Sequence, residues 1–573
     1  MENLRSHVES DLCDKCSVLK FDDKQLGRRQ ARRDVANDVL RFDFEDRRHR
    51  GKSFELDYVH TDLLPDLLRL KASADAGCAF CAALRDATLQ RRPARSGPIR
   101  YRLRYKWERW SDRLDHPQLN MLVADWAVGD ESFEGVGKVS HDRSLVFWVD
   151  CEEDDCNRWL GTPSPPRERP LCDQNSAWMR EMLEACTTHG CAPHSSTFLP
   201  TRVLDLGTDD SHDTIKLIQL SHTHLTDSMK YTALSYCWGP REDAVHQLKT
   251  TSSSLAQHLE RVDFEAMTPV IQDAVTATRA LGIHYLWIDA LCIIQGDADD
   301  WARESKRMGL VYVNAYATIC PLLSSSCLQS FLHRPKPVRI KFQSRRRPEI
   351  HGMLNLRHQP RPRNEDVSLS TGPRQMDEKL SAWNTRAWTL QEEQLAARMI
   401  YFGSSHIYFS CPLQKAVECY PDEPYNGRKL HLPYWERPNF PNMLHQLAKS
   451  QDPDALYDQW NRLAEQHAQR QATDERDKLP ALSGLAQMMA EKTQDTYLAG
   501  LWKADLLRGL LWWTSPSKLR IMGLGQLPKF PPNAYICPSW SWARHGETCP
   551  ANNSVRIVPG TCYAGPFQTV RVR

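Results

Sequence analysis

No apolar run in the chain approaches the ~20 residues that a membrane-spanning helix requires, which argues against a helical membrane protein. The opening stretch MENLRSHVESDLCDKC lacks the apolar core of a secretory signal, so a soluble, cytoplasmic protein is expected. Net charge is also scarce. Lys and Arg total 74 against 72 Asp and Glu, so the molecule as a whole has no field that would draw it onto nucleic acid or anionic lipid. Internal repeats are absent. The 18 cysteines are spread over 573 residues instead of crowding a small scaffold, which favours reduced thiols or metal ligands over a disulfide framework. What is present is a globular composition, 41% hydrophobic with 18 Trp, in a chain long enough for about three to five domain-sized units.

The pattern along the chain divides it into four regions. Residues 1–170 form an N-terminal, mixed α+β region with two CxxC pairs. Its segment 20–60 is a solvated, charged stretch with clusters at Arg28-Arg29 and 47–50. Leu63, Leu64, Leu67 and Leu70 have helical spacing within 61–91, and short antiparallel strands are expected between Leu122 and Val149. A Pro-rich linker at 162–170 leads into segment 171–230, with a helix at 177–186 and a strand at 199–205. From Tyr231 strands and helices alternate: YTALSYCW, a helix at 269–281, HYLWIDAL, a helix at 300–315, and Thr318 to Leu322. Such alternation predicts an α/β unit with a parallel sheet flanked by helices. Prolines and Arg345-Arg346-Arg347 mark 331–380 as a basic insertion or long loop. The periodicity resumes with a helix at 383–398 and strands at 399–402 and 406–410, closing the unit at 411. Region 412–573 contains helices, expected around 454–471 and 496–513.

Three blocks in the central unit carry a family resemblance. They are YTALSYCWG at 231–239, YLWIDALCIIQ at 285–295 with Trp301, Glu304, Met308 and Tyr312 after it, and RAWTLQE at 386–392. Together, in this order, they resemble the signature of the fungal heterokaryon-incompatibility (HET) domain. Segments 178–205 and 501–542 also resemble sequences that flank such domains. The resemblance implies a factor in fungal self/non-self recognition and programmed cell death, acting through a protein partner or self-assembly.

Physical chemistry points to a crevice in the same unit. In a parallel sheet, ligands bind beyond the carboxyl ends of the strands, where Ser235, Tyr236, Trp238 and Asp289 fall. Trp301, Glu304, Met308 and Tyr312 share one helical face, which draws the Glu304 carboxylate toward apolar neighbours. The plainer alternatives are a cap for Asp289, a salt bridge for Glu304 with Arg303, Arg307 or Arg386, and core packing for Trp238, Trp287, Trp301 and Trp388.

The third block also resembles the helix of Toll/interleukin receptor (TIR) domains in which a tryptophan precedes a glutamate by four positions. Trp388 and Glu392 correspond, and Ala233 to Tyr236 resembles the first TIR strand. This resemblance implies NAD as substrate and a possible NAD glycohydrolase, with Glu392 as the catalytic carboxylate at an oxocarbenium-like transition state. Ser235, Tyr236, Trp238, Asp289, Glu304, Arg386 and Trp388 would then form the ligand site. Two alternatives stand beside it: Glu392 as a structural partner of Arg386 or Arg398, and the unit as a non-enzymatic signalling module that assembles with a specificity partner. A third, a nucleophilic Cys237 or Cys292 served by His284, is disfavoured by the apolar surroundings of Cys292.

The pairs Cys13–Cys16 and Cys78–Cys81 can each present two thiolates to one tetrahedral Zn²⁺, although their separation exceeds that of compact zinc folds. Cys186, His189 and Cys191 form a second group, but three ligands in one loop fall short of a site. The Arg345–Arg347 run lacks a nucleic-acid-binding fold and is expected to be a solvated loop.

Overall fold

The computed structural model describes residues 9–25, 51–91, 96–108, 118–131, 143–188, 198–207, 215–220, 229–360, 373–418, 453–511 and 537–545, with short pieces elsewhere. In the first part, β1 (Arg32–Asp34) and β2 (Val39–Arg41) make a small antiparallel pair. Next come β3 (Gly51–Glu55), β4 (His60–Leu64), α1 (Leu68–Asp75), α2 (Ala79–Arg91), β5 (Gly97–Glu108), β6 (Gln118–Val128), β7 (Ser144–Cys151) and α3 (Asp154–Leu160). The strands β5, β6 and β7 pair antiparallel, as the alternating aromatic and β-branched residues predict. The helix expected across 61–91 begins later. Leu63 and Leu64 lie in β4, and Pro65, which lacks an N–H donor, separates that strand from α1.

After α4 (Asp173–Thr188) the chain enters a second sheet. Its elements are β8 (Arg202–Asp205), β9 (Lys216–Gln219), β10 (Tyr231–Leu234), α5 (Arg241–Ala244), α6 (Leu255–Glu260), α7 (Pro269–Ala280), β11 (Tyr285–Trp287), α8 (Asp289–Cys292), α9 (Ala298–Asn314) and β12 (Ala317–Pro321). Helix α7 follows its sequence pattern: Val270, Ile271, Ala274, Val275 and Thr278 form its buried stripe, and Thr278 shares a 2.7 Å hydroxyl hydrogen bond with Thr232 of β10. Helix α9 starts where the Asp297 carboxylate accepts from the amides of Asp299 and Asp300, a cap worth about 1 kcal/mol.

Segment 331–380 is not a long loop throughout. Val338, Ile340 and Phe342 alternate with Arg339, Lys341 and Gln343, and this period of two makes β13 (Val338–Gln343), which pairs antiparallel with β14 (His351–Gln359). Strand β14 then pairs with β7, so the hairpin completes the N-terminal sheet in the order β13-β14-β7-β6-β5-β3. The Arg345–Arg347 turn is held instead of solvated: Asp23 accepts from the amides of Arg345 (2.7 Å) and Arg346 (3.2 Å), and from the Trp159 indole at 3.2 Å.

From α10 (Pro373–Leu380) the chain returns to the second sheet through α11 (Ala387–Leu395), β15 (Met399–Phe402), β16 (Ile407–Ser410) and β17 (Lys415–Val417). The fold is α/β, and this sheet is mixed instead of wholly parallel. Parallel pairing is confined to β11-β10-β12-β15, while β8, β9, β16 and β17 run antiparallel on the two flanks. Helices Pro453–Ala468 and Ser483–Thr493 follow. The helix expected at 496–513 is instead a tight hairpin, Tyr497–Leu498 with Leu501–Trp502, and a single turn at Leu506–Gly509. Its turn places Ala499 and Gly500 at positive φ, which no continuous helix accommodates. Among the described residues no helix is long and apolar enough to cross a membrane.

Candidate functional site

Strand β10 is the point at which the parallel sheet changes direction. Its neighbours are β11, the next strand in the chain, on one side and β12 on the other, so the crossovers leave β10 in opposite directions and open a crevice beyond its carboxyl end. Residues 235–238 follow β10 directly into that crevice, and Asp289 follows β11 as the first residue of α8. The chain then turns at Gly239 with φ of 92°, where a Cβ would come within 2.9 Å of the Ser326 Cβ.

Helix α11 supplies the opposing wall. The Ser235 hydroxyl donates to Glu392 Oε2 and accepts from the Trp383 indole at 2.6 Å. The Arg386 guanidinium donates to the carbonyl of Tyr236, and the Trp238 indole donates to both oxygens of Asp289, at 3.3 and 3.1 Å. Ser235, Tyr236, Trp383 and Glu392 are buried, whereas Trp238, Asp289 and Arg386 are partly exposed. The site therefore has a polar floor and a charged rim.

Burial pushes the Glu392 carboxyl up to about 7, against the Ser235 hydrogen bond and the nearby Arg386 charge, both of which favour its ionised form. Asp289 is likewise raised by desolvation, with Arg386 opposing. Burial works against the Arg386 cation, but Cys237, Glu392 and Asp289 around it hold it firmly charged. The Tyr236 hydroxyl, buried beside Asp289, has no hydrogen-bond partner among the described residues.

Six of the expected residues thus converge: Ser235, Tyr236, Trp238, Asp289, Arg386 and Glu392. Two do not. Glu304 faces Arg202, 3.9 Å away, within an ion cluster whose closer pair is Arg202 with Asp300, so its partner is none of the three arginines expected. Trp388 points toward the C-terminal region, where its indole donates to Asp477 at 3.3 Å and its ring meets Trp301 edge-on. Trp383 and Tyr312 belong to the site instead. Tyr312 donates to the Leu234 carbonyl and lies beside Glu392. Trp383 lies three residues ahead of the third block, in a 3-10 turn that periodicity does not detect.

The cysteine alternative finds no geometry. Burial pushes the Cys292 thiol up to about 12 and the Cys237 thiol upward as well, while His284 is bonded to the Gly207 carbonyl. Arg398 makes no ion pair with Glu392; its guanidinium donates to the carbonyls of Tyr316 and Cys191.

The two CxxC pairs, although distant in sequence, form one cluster. Cys13 opens a 3-10 turn that contains Cys16, Cys78 and Cys81 sit at the start of α2, and the Ala79 amide donates to the Asp11 carbonyl to hold the two together. The sulfurs lie within 4.8 Å of one another, with Cys13–Cys81 at 3.8 Å and Cys16–Cys81 at 3.6 Å. Four thiolates around Zn²⁺ at about 2.3 Å would be about 3.8 Å apart. The cluster can hold a metal ion. His189 lies outside the described residues.

Residues 231–392 match the family described as Heterokaryon incompatibility protein (HET). No curated protein and no solved structure matches the chain.

Proposed function

We propose, from a chain whose residues 231–392 form a HET domain and which therefore has a heterokaryon-incompatibility-related role, that its crevice hydrolyses NAD and that this activity drives cell death. The observation that carries the reading is the Ser235–Glu392 hydrogen bond at the end of β10. It places a carboxylate at the sheet's switch point, oriented by a hydroxyl that itself accepts from Trp383. The order of the four parallel strands, with the first between the second and third, supports the TIR-like reading because flavodoxin-like sheets share it.

In the reaction the C1′–N bond of the ribose breaks and its electron pair passes to the nicotinamide nitrogen. The ionised Glu392 carboxylate stabilises the oxocarbenium-like centre, water adds at C1′, and the released proton passes to Glu392 or solvent. A cationic nicotinamide ring beside Glu392 would favour that ionised form. Asp289, Arg386, Tyr236 and Trp238 shape and charge the entrance. Incubating the purified full chain with NAD should release nicotinamide, and Glu392→Gln should abolish the release. Full toxicity of Glu392→Gln in a fungal cell, with no fall in the NAD pool, would sink the proposal.

The burial of Glu392 favours a second reading, in which the network is a scaffold and the domain signals by assembling with a partner. Loss-of-function substitutions would then cluster on exposed surface and spare the crevice.

For the N-terminal cluster the proposal is a structural Zn²⁺ held by Cys13, Cys16, Cys78 and Cys81, supported by the sulfur spacing. Zinc should co-purify with the chain, and Cys16→Ser should lose it.

A further inference from the structure

Helix α4, the loop after it and the end of β16 bring three more thiols together. Cys186, Cys191 and Cys411 are buried, and their sulfurs lie within 4.8 Å of one another. None is in a disulfide. Cys411 lies more than 200 positions beyond Cys191, so the group is assembled by the fold and not by one local loop. We propose that these three cysteines form a second metal site, a trithiolate centre that binds a thiophilic divalent ion such as Zn²⁺ and fastens α4 to the edge of the β15–β17 hairpins.

Three observations support thiolate ligands here. First, the spacing admits a tetrahedral ion, whose sulfur ligands stand about 3.8 Å apart at a Zn–S distance of about 2.3 Å. Second, the Gln414 amide donates to the Cys411 sulfur at 3.2 Å while the Cys411 amide donates to the Gln414 carbonyl at 2.8 Å, a turn that presents a backbone N–H to the sulfur.

Third, the cluster lies against a buried cation that has no carboxylate. Arg398 is 2% exposed and forms no ion pair among the described residues. Its guanidinium lies over the Tyr316 ring at 5.0 Å and donates to the Tyr316 carbonyl at 3.1 Å and the Cys191 carbonyl at 3.3 Å, leaving its Nε without a hydrogen-bond partner. A buried charge is costly without a counter-charge. Three thiolates around a divalent ion carry a net charge of minus one, which offsets the arginine.

Binding is not a redox step: each coordinating thiol loses one proton to solvent, and the ion takes three sulfur electron pairs. Among the described residues no fourth ligand joins the three. The remaining position is left to water or an added donor, unlike the four-cysteine cluster near the N-terminus.

The test uses reduced, purified full chain, titrated with Zn²⁺ against a colorimetric chelator. Cys411→Ser should lose one zinc equivalent whatever the N-terminal cluster holds, and Cys16→Ser should leave that equivalent in place. Failure of the N-terminal proposal would appear only in the Cys16→Ser comparison. Alkylation followed by peptide mapping guards against misfolding of the variant: Zn²⁺ should slow modification of Cys186, Cys191 and Cys411 in the unaltered chain at least tenfold, and a chelator should restore it. Equal zinc content in the unaltered chain and Cys411→Ser overturns the proposal. So do alkylation rates at these three thiols that ignore Zn²⁺, or a Cys186–Cys411 disulfide in the protein as isolated.

Discussion

Ser235 and Glu392, 157 positions apart, are joined by a buried hydrogen bond in which the hydroxyl donates to the carboxylate, and the Trp383 indole closes the chain from the other side. Ser235→Ala removes the acceptor for Trp383 and the donor for Glu392 in one step. Leaving such buried groups unpaired costs about 1–3 kcal/mol, and the lost hydrogen bond should raise the Glu392 carboxyl further. Urea unfolding should show a lower midpoint with an unchanged slope. A carboxyl stretch titrating at the same pH in both proteins would show that the bond does not tune Glu392.

Stability should also depend on pH through Glu392. Its carboxyl is pushed up to about 7 in the folded protein from an ordinary value near 4.5, so between those values the folded state binds more protons than the unfolded chain. The resulting stabilisation is complete below the unfolded value and is lost as pH rises through about 7, by at most about 3 kcal/mol. Glu392→Gln keeps the shape and removes the proton. The difference in urea midpoint between the two proteins should therefore move in favour of the variant from pH 5 to pH 8, and a constant difference would contradict the assignment.

Much of the crevice is legible in the chain because its parts are local. Alternation and capping placed α7 and α9, the apolar runs placed β10, β11 and β12, and residues just past strand ends were candidates by position alone. What stayed hidden depends on long-range pairing. Arg202 meets Glu304 and Asp300 about 100 positions away, Cys411 joins two cysteines far upstream, and β14 finds β7 across some 200 residues. No local period encodes such partners. The run at 345–347 misled for a related reason: its side chains read as a solvated loop, while its backbone is gripped by Asp23.

The Arg202 cluster predicts a structural phenotype away from the crevice. Arg202 is 4% exposed and donates to the Cys292 carbonyl at 2.7 Å as well as to Asp300, which is fully buried. Arg202→Leu would leave Asp300 buried with only Arg303 as a charged partner. A loss of about 3–5 kcal/mol is expected, read as a lower thermal midpoint. Arg303→Ala, at the exposed end of the cluster, should cost about 1 kcal/mol or less.

Gly239 is the narrowest point of the turn that follows the first block. With φ of 92° and Ser326 so close, Gly239→Ala should cost about 1–3 kcal/mol and shift Trp238 away from Asp289. Pairing it with Ser326→Gly would relieve the clash but not the φ strain. The double variant should recover part of the lost stability, and full recovery would mean that the positive φ is harmless there.

Because β7 ends at Cys151 and its neighbour β14 begins at His351, the N-terminal sheet cannot be completed in the order in which the ribosome delivers it. At about 5–20 residues per second, on the order of 10–40 s separate the two strands. Throughout that interval β7 presents an open edge lined by Leu145, Phe147 and Val149, the kind of edge that recruits other chains. The nascent protein must therefore be shielded, or must fold its second sheet first, and excising residues 231–411 alone would strand the β13–β14 hairpin without the sheet it was made to close.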